Sequence, residues 1–131
     1  MNGTLALLFL LALWQTPEKA YQDALIRADQ AVDSARKAND EGNFDKVKEK
    51  LTEVAVEVES VVATLEAMPK PAYKNGKNYK RAELQTRNLL RRVDAIVQDN
   101  GFEEREALKP IRERVNAVHE KLLLGVMSKK P

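Results

Sequence analysis

Few residues in this chain have side chains suited to catalysis or to holding a ligand. His119 is the single histidine and there is no cysteine. The missing cysteine removes disulfides, thiolate catalysis, iron–sulfur clusters and thiolate zinc sites together. Ser34, Ser60 and Ser128 allow at most one serine–histidine pair, and no spacing brings one of them to His119. There is no Gly-rich phosphate loop. No residue is therefore assigned a catalytic role, and the chain is expected not to be an enzyme.

Charge offers more. Lys70, Lys74, Lys77, Lys80 and Arg81 fall in a segment, Ala67 to Arg81, that holds no carboxylate. Tyr73 and Tyr79 are interleaved with them. Cations of this density attract phosphate, anionic lipid or cell-wall polymer, and tyrosine rings add flat faces for sugar, headgroup or a protein partner. The competing reading is a solvated connector whose lysines serve solubility. Acidic residues gather elsewhere: Asp40, Glu41 and Asp45 in one place, Asp99, Glu103 and Glu104 in another. Their spacing matches no calcium loop, so no metal site is expected. Glu57 and Glu59 stand among lysines at helical spacing and read as a solvated face.

The elements that carry these residues are helices. Apolar residues recur three and four apart, the mark of a helix with one buried stripe. The pattern is written twice. At an offset of 57, Leu51, Val54, Val58, Val61 and Leu65 align with Leu108, Ile111, Val115, Val118 and Leu122. At an offset of 58, Tyr21, Ala24, Val32, Ala35 and Ala38 align with Tyr79, Ala82, Leu90, Val93 and Ile96. Each pair of helices meets at a glycine turn, Gly42-Asn43-Phe44 and Gly101-Phe102. The expected fold is all-α: an up-and-down four-helix bundle built from a duplicated helical hairpin. Helices are predicted over 17–41, 44–67, 79–100 and 102–127, within a bundle domain of 17–131. Pro17 suits a first helical turn, Gly42 a C-terminal cap and Asn43 an N-cap. Pro69, Pro71 and Asn75-Gly76 break the chain between the second and third helices. Pro110 removes a backbone hydrogen bond from the fourth and predicts a kink.

In such a bundle the basic segment shares one end with the start of the first helix and with Lys129 and Lys130. The acidic turns, partly offset by Lys37, Lys46 and Arg105, share the other. A chain of formal net charge +2 is then a dipole. That net charge is too small to indicate specific nucleic-acid binding.

Residues 1–16 differ in kind. Leu5 to Trp14 is apolar and no charged side chain precedes Glu18. A helix of ten residues spans about 15 Å, half a bilayer core. This suits a secretory signal peptide, with an uncleaved anchor or a short buried helix as the alternatives. The expected location is periplasmic or secreted.

One stretch carries a family resemblance. Asn116-Ala117-Val118-His119-Glu120-Lys121, with the Asp99-Asn100-Gly101 turn ahead of its helix, resembles the C-terminal helix of periplasmic b-type four-helix-bundle cytochromes. The resemblance implies that His119 is a haem axial ligand. That family's second ligand is a methionine early in the first helix. This chain has none there; Leu25 or Ala28 is expected to face His119, and Met68 and Met127 lie on other elements. The Cys-x-x-Cys-His attachment motif of the c-type relatives is absent.

These observations lead to an exported, non-catalytic binding or interaction module of the cell envelope, with no cofactor assigned. Its partner is expected to be a protein or an anionic envelope component, with membrane contact through the leader or the basic end. Two alternatives remain: a haem or metal carrier using His119, and a self-associating structural protein, for instance a homo-dimer.

Overall fold

A computed structural model describes residues 15–130. Four helices account for most of them: α1 (Pro17–Asp40), α2 (Phe44–Glu66), α3 (Gly76–Gln98) and α4 (Phe102–Val126). A single 3-10 turn, Ala72–Lys74, lies between α2 and α3. No helix among the described residues is long and apolar enough to cross a membrane.

The local signals act where the sequence puts them. Thr16 caps α1 by accepting from the Lys19 amide at 3.2 Å, with Pro17 at the first helical position. Gly42 takes φ +72°, which a side chain would strain, and lets the chain reverse. Asn43 then caps α2 by accepting from the Lys46 amide. The third helix starts at Gly76, three residues before its predicted start at Tyr79. The Tyr79 amide bonds back to the Asn75 carbonyl at 3.2 Å, so Asn75-Gly76 opens a helix instead of a turn. The strand-like alternation Val54 to Glu59 lies wholly within α2.

The stripes meet in one core. Tyr21, Ala24, Leu25, Ala28, Val32 and Ala35 of α1 face Val47, Leu51, Val54, Val58 and Leu65 of α2 and the buried residues of α3 and α4. Residues 57 or 58 apart share their burial: Val58 and Val115, Leu65 and Leu122, Ala24 and Ala82 are all inaccessible or nearly so. Leu90 is half-buried where Val32 is buried.

The helices alternate in direction, but the order around the bundle is not the order of the chain. Helix α1 packs on α2 and on α3, and α4 packs on α3 and on α2. Cross-helix pairs show that α1 and α3 run parallel: Tyr21 bonds Asn78, Asp29 and Asp33 meet Arg92, and Asn39 bonds Asp99. So α1 and α4 are diagonal, α2 and α3 are diagonal, and the connector from 67 to 75 crosses one end of the bundle.

Helix α4 continues through Pro110. The ring is exposed, so the carbonyl of Glu106, one turn back, loses its helical partner on the side open to water. Pro110→Ala restores that bond without touching the core. Thermal unfolding of this variant is expected at higher temperature than wild type, by a stabilisation of about 1–3 kcal/mol. A loss of stability instead would show that the ring sets the path of α4.

Candidate functional site

Two places collect the residues with chemistry. The first is inside the seam between α3 and α4. Glu83 projects from α3 into the bundle, its side chain only 4% exposed. A carboxylate there is costly unless it is fully hydrogen-bonded. Arg87, one turn on, holds both of its oxygens, through Nε at 2.9 Å and through a second, shorter contact from Nη2. His119 of α4 approaches the Oε2 oxygen with Nε2 at 3.2 Å. The Arg87 hydrogen bond, helped by His119, outweighs burial and holds the Glu83 carboxyl below the usual carboxylate range. One turn along α3, Thr86 is inaccessible and its hydroxyl has no partner.

His119 therefore lies on the α3–α4 seam, its side chain 16% exposed, with α3 as the helix facing its Nε2. Leu25 and Ala28 belong to α1, on the diagonal. A haem iron at His119 would have to take Nε2 from Glu83, leaving that buried carboxylate with Arg87 alone. Among the described residues no three His, Asp or Glu side chains converge as a metal ion would need. Open grooves run along several seams: one between α1 and α2 is lined by Arg27, Gln30, Ser34, Lys50 and Glu57, and one between α3 and α4, toward the far end, by Asp94, Val97, Phe102, Arg105 and Arg112. The Glu83–His119 contact ties α3 to α4.

The second place is the connector end. Lys70, Lys74, Lys77, Lys80 and Arg81 are all exposed, and none makes an ion pair among the described residues. Tyr73 is half-buried, with the Lys74 ammonium 5.8 Å from its ring centre. Tyr79 has a different fate. It is 6% exposed and belongs to the core, and burial together with the charge of Glu66 raises its phenol pKa. It offers no ring to a partner. Beneath the connector, a polar chain missed by spacing arguments locks the end: the Tyr21 hydroxyl donates to Asn78 Oδ1 at 2.7 Å. The Asn78 amide donates to Asn75 Oδ1 at 2.8 Å, and the Asn75 amide donates to Met68 Sδ at 3.1 Å. Asn75 is buried. Its signal in the sequence was an Asn-x-x-Asn within a turn-like segment, which by itself reads as solvent-facing.

Four further arginines reach across seams of the bundle. Arg27 binds Glu57 between α1 and α2, and Arg92 binds Asp29 and Asp33 between α1 and α3. Arg112 binds Asp94 between α3 and α4, and Arg114 grips both oxygens of Glu59 between α2 and α4. Glu57 and Glu59 are thus partners of arginines on neighbouring helices, and the expected pairing with lysines of their own helix gives way to these. Arg114 holds the Glu59 carboxyl below its ordinary value.

Two outcomes test this geometry. Gly125 is where α4 passes the Tyr79 ring; a Cβ there would sit 2.2 Å from the ring edge. Glycine to alanine inside a helix normally stabilises by about 1 kcal/mol. Here the sign reverses: Gly125→Ala should destabilise by about 1–3 kcal/mol in denaturant unfolding, as overpacking does. Pairing it with Tyr79→Leu should recover part of that loss.

Glu83 supplies the second. Its folded-state pKa lies below its unfolded value, so its stabilisation is present above about pH 4 and is lost as pH falls through the folded value. Glu83→Gln should be less stable than wild type at neutral pH, and the gap should close in acid. A gap of constant size across that range would assign the residue a purely steric role.

No protein family, characterised protein or solved structure matches this chain.

Proposed function

We propose that this chain is a non-catalytic binding module of the cell envelope, exported by its apolar leader, whose working surface is the basic connector end. One observation carries the reading. Four arginines bridge the seams between helices, whereas Lys70, Lys74, Lys77, Lys80 and Arg81, with no ion pair among the described residues and no carboxylate between them in the chain, are collected where the connector crosses. The exposed Lys129 and Lys130 extend that surface from the end of α4. Exposed Asp40, Glu41, Asp45, Asp99 and Glu103 populate the far end, so an anionic surface would be attracted by one end and repelled by the other.

We also take the two hairpins to be copies of one unit. The matched burial of residues 57 and 58 apart supports this, as does the parallel placement of α1 beside α3. Of the leader, residues 1–16, the first fourteen lie outside the described residues, and Thr16 caps α1; its reading as a signal or anchor rests on its sequence.

Binding of this kind is electrostatic and weakens as salt shortens the screening length below about 10 Å. The full chain is expected to bind polyphosphate and anionic vesicles at low ionic strength. Lys70, Lys74, Lys77 and Lys80 changed together to Gln should abolish that binding and leave the circular dichroism spectrum unchanged. Binding that survives the four substitutions, or that never occurs at low salt, returns the connector to a solvated linker.

A further inference from the structure

The last turn of α4 carries an apolar strip. Leu124 is 69% exposed, Met127 64%, and Leu123 is exposed beside them. Spacings of three and four residues put the three on one face. Side chains of this size gain free energy by leaving water, and a group of them rimmed by charge marks a contact surface. The strip lies at the connector end, because Gly125 touches the Tyr79 ring and the Ala72–Lys74 turn packs on α4. Lys129 and Lys130 follow it directly in the chain, and the exposed Lys74 and Lys77 lie at the same end of the bundle. The apolar run Leu5 to Trp14 joins the chain at this same end, since Gln15 leads directly into α1.

We propose that this end seats on an anionic lipid bilayer. Leu124 and Met127 enter the boundary between headgroups and acyl chains, the lysines around them rest on lipid phosphates, and the bundle stands end-on. The proposal depends on the basic end being the working surface and adds what occupies it. A soluble polyanion satisfies the cations but leaves the apolar strip in water. A bilayer supplies a negative surface with an apolar layer directly beneath it. Lysine suits that boundary, because its methylenes lie along apolar surface while the ammonium stays at phosphate depth. Charge also decides between the two ends. Phe102 is 70% exposed at the far end and shares a groove with Arg105 and Lys109, but the carboxylates of Asp40, Glu41, Asp45, Asp99, Glu103 and Glu104 outnumber the cations there, so an anionic membrane is repelled.

The test uses the full chain with Trp14→Phe, which removes the only tryptophan, and a reporter placed at either end, Leu124→Trp or Phe102→Trp. The vesicles contain phosphatidylglycerol and phosphatidylcholine in equal parts, with bromine on the acyl chains as quencher. Fluorescence at position 124 should be quenched at low salt and fluorescence at 102 should not. Quenching at both positions, or at neither while the vesicles are bound, overturns the proposal. The double variant Leu124→Ser and Met127→Ser should bind these vesicles about tenfold more weakly or worse, with binding to polyphosphate unchanged. Unchanged vesicle affinity overturns the membrane assignment and leaves the basic-end reading standing. Failure of wild type to bind either polyphosphate or vesicles at low salt overturns that reading and the membrane assignment with it.

Discussion

Everything in this fold follows from the need of two helical hairpins to bury stripes that neither can bury alone. A pair of helices covers part of each apolar face and leaves the rest in water. The α1 stripe is rich in alanine, with Ala24, Ala28, Ala31, Ala35 and Ala38 all buried, so neighbouring backbones can come close. The two hairpins lie side by side with like helices parallel, α1 along α3 and α2 along α4. That choice sends the connector across the diagonal. A connector on this path must cover the end of the core, and it does so with Tyr21, Asn78, Asn75 and Met68 joined in one hydrogen-bonded chain. The lysines of the same segment point outward because the inward positions are already taken.

Charge is distributed by the same geometry. Each of the four seams between neighbouring helices carries an arginine that reaches across it. Guanidinium groups are suited to this, since two parallel bonds to a carboxylate fix orientation as well as supply attraction. Half-exposed pairs of this kind contribute little stability each, of the order of 0–1 kcal/mol. Their larger effect is on register: Arg92 meets Asp29 and Asp33 only if α3 lies at one height along α1. With arginine used for register along the bundle, the cations free to meet a partner are mostly lysines, and the connector is where they are densest.

How much of this could be read from residues alone depends on range. The four helices, the Gly42 reversal, the Asn43 cap and the paired valines of α2 and α4 were legible because each is settled by neighbours within one or two turns. The ring order was not, because a stripe says that a helix is buried and is silent on which helix buries it. The consequences follow from that one gap. Glu57 and Glu59 looked solvated because their arginines lie on other helices. Tyr73 and Tyr79 looked alike, six residues apart in one basic stretch, and were separated by Gly125, whose missing side chain makes room for one of the two rings. The partner of His119 was hidden in the same way, because Glu83, which holds it, lies on another helix 36 residues away.

The two hairpins are not equivalent in what they enclose. Glu83 stands 58 residues after Leu25, and Thr86 stands 58 after Ala28. The first hairpin fills those positions with apolar groups; the second fills them with a carboxylate and a hydroxyl. The carboxylate is satisfied by Arg87 and His119, so its cost is largely offset, while the Thr86 hydroxyl, buried without a partner, is a net loss. The second hairpin thus buries polar groups at positions where the first is apolar. The basic connector, the start of α3 and the apolar end of α4 all belong to that second hairpin or lead into it.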